Sequence, residues 1–169
     1  GDQLSDNEIR ADVITLMLAG HETTATTLAW LVDLLAHHPD VQRRVRAEIG
    51  TGRTDYTEAV INETLRLRPP APITGRMTAE KYRLGDYTLP AGTRIVLLLD
   101  AINRDPETYP DPDTFDPERF VGTRPNPYGW VPFGGGIKRC IGASFSMCEL
   151  STILHTMLAQ AELRPASRR

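Results

Sequence analysis

Cysteine is scarce in this chain: Cys140 and Cys148 are the only two in 169 residues. Two are too few for a disulfide framework, which fits a reducing compartment. They stand eight positions apart with no histidine at metal-site spacing beside them, which argues against a zinc site. Charge of either sign is not in excess. The formal net charge is −3, so nothing in the balance points to nucleic acid as a partner. No apolar run approaches the length of a membrane span, and no signal-peptide pattern opens the chain. Internal repeats and low-complexity tracts are absent as well. With 40% hydrophobic and 24% charged residues, what is left is the composition of a globular domain with a real core.

Glycine, by contrast, is concentrated in one place. The segment Phe133-Gly134-Gly135-Gly136-Ile137-Lys138-Arg139-Cys140-Ile141-Gly142 holds four glycines in ten residues and lets the backbone pass close to something flat and bulky. Directly after it Phe145, Leu150, Ile153, Leu154, Met157 and Leu158 follow at helical spacing, which predicts a helix over 143–160. Cys140 therefore stands at the mouth of a helix, where unpaired N–H groups favour a negatively charged sulfur. Read alone, the loop supports two accounts equally: a thiolate ligand for iron, or a small buried hydrophobe.

Upstream, Ser5-Asp6-Asn7-Glu8 forms a capping box, and Ile9, Val13, Leu16, Met17, Leu28, Leu31 and Leu35 continue at three- and four-residue steps. The spacing predicts a helix over about 5–37, roughly 45–50 Å long, ended by Pro39. Its middle, Ala19-Gly20-His21-Glu22-Thr23-Thr24, is small and polar, a composition that tends to open or bend a helix. A shorter helix over Asp40–Ile49 would place Gln42, Arg43, Arg44, Arg46 and Glu48 on a solvated side, with Gly50 and Gly52 closing it. A third helix, within 56–68, stops before Pro69-Pro70 and carries Glu63 and Arg66 on one face. Then come extended Ala71–Thr74, a small hairpin of Lys81–Leu84 and Tyr87–Leu89 around Gly85-Asp86, and an apolar strand over Thr93–Leu99, together a minor sheet within 71–99. The stretch 104–132 has seven of the thirteen prolines and no periodic pattern. Its aromatics Tyr109, Phe115, Phe120, Tyr128 and Trp130 predict a packed wrap. Cys148, on the last helix, is expected to be a core thiol.

Four of these stretches, in this order, resemble the cytochrome P450 family. The loop matches the family's haem-thiolate pattern at Phe133, Gly136, Cys140 and Gly142, with Lys138 where Arg or His is usual. Ala19-Gly20-His21-Glu22-Thr23-Thr24 resembles the oxygen-binding patch of the distal helix. Glu63-Thr64-Leu65-Arg66 before Pro69-Pro70 resembles the Glu-any-any-Arg helix, and Asp116-Pro117-Glu118-Arg119-Phe120 resembles the segment that supplies its third member. The resemblance implies a mainly α, α+β architecture: the C-terminal portion of a P450 fold, with a small β-sheet and a Pro-rich meander at 104–132 before the haem-thiolate loop at 133–142.

The resemblance also implies roles. Cys140 would be the proximal ligand of haem b, with Phe133, Gly136 and Gly142 shaping its loop. Ala19 and Gly20 would leave room for dioxygen, whose outer oxygen would receive protons through Thr23 and Glu22. His21 occupies a variable position of the pattern and is read as packing or as a substrate-side residue. Arg76 and Lys138 would hold the propionates. Glu63, Arg66 and Arg119 would form a buried structural triad that pins the loop. The implied activity is monooxygenation of a small organic substrate with O2, with electrons from a ferredoxin or a flavoprotein reductase docking where Lys138 and Arg139 offer positive charge. A cytoplasmic location is expected. The start at Gly1-Asp2-Gln3-Leu4 lacks an initiator Met, and the end at Arg164–Arg169 comes before the family's terminal hairpin. The chain is thus expected to be a fragment, with two alternatives to activity: a non-catalytic piece needing the missing N-terminal part, or a haem-binding sensor or carrier module.

Overall fold

A computed structural model describes residues 3–166; Gly1 and Asp2 of the expected run-in and residues 167–169 of the tail lie outside it. Among the described residues five α-helices and four short strands make a mainly helical α+β architecture. Helix α1 spans Asp6–His37, α2 Pro39–Glu48, α3 Asp55–Leu67, α4 Leu99–Asn103 and α5 Ala143–Gln160.

The first helix starts where the capping box places it. The Ser5 hydroxyl receives the Glu8 amide N–H, and the Glu8 carboxylate accepts the Ser5 amide at 2.8 Å. The Ser5 amide, and the Ser5 hydroxyl donating to Glu8 Oε2 at 2.7 Å, hold the Glu8 carboxyl below its ordinary range. The Ala19–Thr24 patch, expected to open or bend the helix, does not open it: the helix is unbroken from Asp6 to His37. Thr23 Oγ1 donates to the Ala19 carbonyl at 2.6 Å and Thr27 Oγ1 to the Thr23 carbonyl at 2.9 Å, so both hydroxyls are satisfied one turn back without opening the backbone.

Helix α3 is the centre of the molecule, with ten of its thirteen residues buried. Around it Leu31 and Leu35 of α1, Val41 and Val45 of α2, and Leu150, Leu154 and Leu158 of α5 close one apolar core with Tyr56, Val60, Ile61 and Leu65. Each such side chain, fully buried, contributes about 1.5–3 kcal/mol. The stripe on α5 repeats every fourth residue, which leaves Cys148 on the opposite side. It is exposed, not the expected core thiol. On α2 the solvated side is smaller than expected. Gln42 is buried and clasps the tail: its Nε2 donates to the Leu163 carbonyl at 3.0 Å and its Oε1 accepts the Leu163 amide at 2.9 Å.

The minor sheet proves to be two separate antiparallel pairs. Strand β1 (Ile73–Met77) pairs with β4 (Arg94–Leu98), and β2 (Tyr82–Leu84) with β3 (Tyr87–Leu89). Helix α4, absent from the sequence reading, follows β4 directly. The proline-rich segment then wraps the α3 end of the core, and Tyr109 and Phe120 are buried against Ala59 and Trp130. Tyr128 departs from that wrap at 87% exposure. Its neighbour Gly129 takes the inward place instead: a Cβ there would meet Thr108 Cγ2 at 2.9 Å, so any side chain would force the Thr108 methyl to shift. Among the described residues no helix is long and apolar enough to cross a membrane.

Candidate active site: a cysteine loop over a buried ion pair

Glu63 and Arg66 are both fully buried, three apart on α3. Arg66 Nε donates to Glu63 Oε2 at 2.7 Å and Nη2 to Oε1 at 2.8 Å, a bidentate pair. The remaining guanidinium hydrogens reach the carbonyls of Asn103 at 3.0 Å, Pro112 at 2.7 Å and Thr114 at 3.2 Å. Tyr109 lies beneath the same guanidinium, 4.9 Å from its ring centroid. Burial pushes the Tyr109 hydroxyl above its usual range, with Arg66 partly opposing the shift. Arg119 comes to the pair from the other side. Its Nε is 3.6 Å from Glu63 Oε1, too far for a hydrogen bond, while its Nη2 donates to the Asp111 carbonyl at 3.1 Å. The closer cap on Glu63 Oε1 is the Asp116 amide at 2.9 Å, a contact through the backbone that residue types alone do not reveal.

From this anchor an aromatic file leads to the loop. Tyr109, Phe120, Trp130 and Phe133 stand with successive ring centroids 6.3, 6.3 and 5.8 Å apart. Trp130 also donates its indole N–H to the Asn62 carbonyl at 3.0 Å, which ties the loop's approach to α3. Beyond Phe133 the backbone turns back on itself. Gly134 and Gly136 take φ of 66° and 64°, values that side-chain-bearing residues rarely adopt. The Cys140 amide then donates to the Phe133 carbonyl at 2.9 Å, closing the loop two residues before the Gly142 cap of α5.

Cys140 is exposed, and so are its apolar neighbours: Ile137 at 101%, Ile141 at 89% and Phe145 at 74%. Thr24 of α1 and Ser146 of α5 approach to 3.5 Å between hydroxyls. Past that point Leu31 and Leu35 pair off with Leu150, Leu154 and Leu158 in the core. The Ala19–Thr24 segment and the Cys140 loop therefore both extend from the same end of a packed helix pair. Ala19, Gly20, Glu22 and Thr23 are all exposed there, and a Cβ on Gly20 would meet nothing within 4 Å. Arg76 sits mid-strand on β1 opposite Ile95, and Lys138 sits in the loop. Both are exposed, and neither has a carboxylate partner among the described residues. No group of three or more His, Cys, Asp or Glu among the described residues is placed to hold a metal by itself.

The sequence pattern of the cytochrome P450 family matches residues 1–169. The chain belongs to the cytochrome P450 family. Among its relatives, cytochrome P450 137 of Mycobacterium tuberculosis is 64% identical over 162 residues, covering 96% of this chain and 34% of the relative. Cytochrome P450 135B1 of the same species is 40% identical over 169 residues, with 96% and 36% covered. Cytochrome P450 138 of Mycobacterium bovis is 39% identical over 159 residues, with 94% and 36% covered. The chain thus spans about a third of the length of the curated relatives it matches. P450 proteins are haem-dependent monooxygenases as a family. An exposed thiol on a glycine loop, ringed by uncovered Ile137, Ile141 and Phe145, fits a flat, apolar macrocycle with an iron at its centre.

Proposed function

We propose that this chain carries the haem-holding part of a monooxygenase that inserts one oxygen atom of O2 into a small organic substrate, with Cys140 as the proximal ligand of haem b. The observation that carries this reading is the loop itself. Its amide is pinned to Phe133, its sulfur is presented to the outside, and its apolar flanks stand uncovered. When bound, haem held by the Cys140 sulfur would supply the activation of dioxygen, two electrons from the donor and two protons turning the second oxygen atom into water.

The chain's own residues do the rest. Phe133, Gly136 and Gly142 hold the shape that aims the Cys140 sulfur. Arg76 and Lys138, exposed and free of carboxylate partners among the described residues, take the two propionates, Arg76 as a fork and Lys138 as a point charge. Gly20, beside Ala19, leaves space for a diatomic ligand. Thr23 Oγ1, whose hydrogen is held by the Ala19 carbonyl, would leave that bond to hand on a proton that Glu22 replenishes from solvent. Glu63, Arg66 and Arg119 keep the loop's support fixed. The exposed Lys138 and Arg139 receive an electron donor of ferredoxin or flavoprotein type. One observation favours a second reading, in which turnover needs further chain: the apolar face around Cys140 and the first half of α1 are uncovered, and the relatives are about three times as long.

The chain loaded with haem, reduced and exposed to carbon monoxide tests both. A red-shifted thiolate Soret band that disappears in Cys140→Ala is the expected result. A band unchanged by that substitution removes Cys140 as the ligand. The expected band without substrate oxidation, even when an electron donor is supplied, selects the second reading.

A further inference from the structure

Asn103 closes α4 and is fully buried, yet none of the family motifs contains it. Its two ends serve different parts of the molecule. Its main-chain carbonyl accepts Arg66 Nη1 at 3.0 Å, within the buried ion pair. Its side-chain Oδ1 accepts the Val131 amide N–H at 3.0 Å, at the entrance to the cysteine loop. From there the bonds continue without a gap. The Val131 carbonyl accepts the Gly134 amide at 2.8 Å, and the Phe133 carbonyl accepts the Cys140 amide at 2.9 Å. Pro132, between them, is buried and has no N–H to give.

We propose that Asn103 is a positioning residue: its side-chain oxygen couples the Glu63–Arg66 pair to the backbone that presents Cys140. Its importance to the reaction rests on Cys140 being the haem ligand, as proposed above. A core-filling role does not explain the amide. Only an acceptor can face the Val131 N–H, so the oxygen must point there, and the Nδ2 end is left without a partner among the described residues. A buried donor left unpaired is unfavourable. Leucine, of nearly the same shape, would remove that orphan but strand the Val131 N–H instead. The polar residue is therefore accounted for by the loop, not by the core around it.

Residue-resolved amide hydrogen exchange on the 169-residue chain tests this without reference to activity. In the unmodified chain Val131, Gly134 and Cys140 should exchange through one shared opening, as a cooperative unit does. Asn103→Leu should speed all three by about tenfold, the effect of one buried donor losing its acceptor, while Ile61 in α3 keeps its rate. Asn103→Asp retains the acceptor oxygen but buries a carboxylate with no counter-charge, so it should protect Val131 better than the Leu variant only at a pH low enough to protonate it. Unchanged exchange at Val131 in Asn103→Leu, or faster exchange at Val131 alone, overturns the proposal. Should the Leu variant fail to fold, the unmodified chain still decides, since independent opening of the three amides also overturns it. Failure of the haem reading shows elsewhere, as a carbon monoxide band insensitive to Cys140→Ala, and leaves the exchange result standing.

Discussion

Arg66 is a charge that the core can hold because every one of its five N–H donors finds an acceptor. Two acceptors come from Glu63 and three from main-chain carbonyls, so no hydrogen is stranded. Removing the arginine would leave the Glu63 carboxylate sealed without its counter-charge. Arg66→Ala is therefore expected to cost about 3–5 kcal/mol. Arg44 makes the useful contrast. It pairs with Glu118, but both side chains are 52% exposed, and it also lies over the Tyr56 ring at 3.8 Å. Solvent screening limits such a pair, so Arg44→Ala should cost about 1 kcal/mol or less. Urea unfolding of the two variants side by side is the check, and equal losses would mean that the buried pair is not what secures the loop. Of this arrangement, the Glu63–Arg66 spacing is legible in the sequence because residues three apart on a helix share a face. The carbonyls of Asn103, Pro112 and Thr114 are not legible. Any residue has a carbonyl, and only the fold decides which ones arrive. The same holds for the Asp116 amide, which sits closer to Glu63 than Arg119 does.

At the scale of the element, α3 is capped from a neighbouring helix instead of from its own first turn. Thr54, at the cap position, makes no side-chain cap. Glu48, the last residue of α2, accepts the Tyr56 amide at 2.8 Å, the Thr57 amide at 2.9 Å and the Thr57 hydroxyl at 2.7 Å. Since that hydroxyl gives its only proton to Glu48, it must accept from His155 Nε2, 2.7 Å away on α5. One carboxylate thus links α2, α3 and α5 at the start of the most buried helix. Sequence periodicity placed Glu48 on a solvated side, and it could not do otherwise, because the bonds run to positions eight and nine residues on across a turn. Helix boundaries were more accessible: the Ser5 capping box, Pro39 and the Pro69-Pro70 stop are local signals, and the start and end of α1, the start of α2 and the end of α3 lie within about two residues of them. Glu48→Ala is expected to destabilise the chain by about 2–3 kcal/mol, as bonds to a charged cap are lost together. Glu48→Gln keeps one acceptor oxygen and should cost about 1 kcal/mol. Thermal or urea unfolding separates them. A Glu48→Ala cost no larger than that of an exposed surface change would mean that water caps α3 equally well.

Over the whole molecule, helix α1 divides into two halves with different support. From Thr24 onward it is packed, through Thr27, Leu31 and Leu35. Before Thr24 every described residue is exposed, including Ile9, Val13, Ile14, Leu16, Met17 and Leu18. The periodic apolar stripe that identified the helix is real, but periodicity reports a face that is fit for burial and cannot report what buries it. Cys140, Ile137, Ile141 and Phe145 show the same thing at the loop. Tertiary packing supplies most helical stability, and helices shorter than about 12–15 residues are marginal without it. The first half of α1 is little longer than that, so it holds on the Ser5–Glu8 cap, its own backbone bonds and continuity with the packed half. Limited trypsin digestion reads this directly. Arg10 lies in the unsupported half, and the next lysine or arginine, Arg43, lies in α2, whose Val41 and Val45 are in the core. Cleavage after Arg10 should run well ahead of cleavage after Arg43, because a local opening that exposes Arg10 breaks no core contact, whereas opening α2 does. If both bonds are cut at the same rate, α1 opens as one unit with the core, and the packed half extends its cooperativity through the Ala19–Thr24 patch to the N-terminal cap.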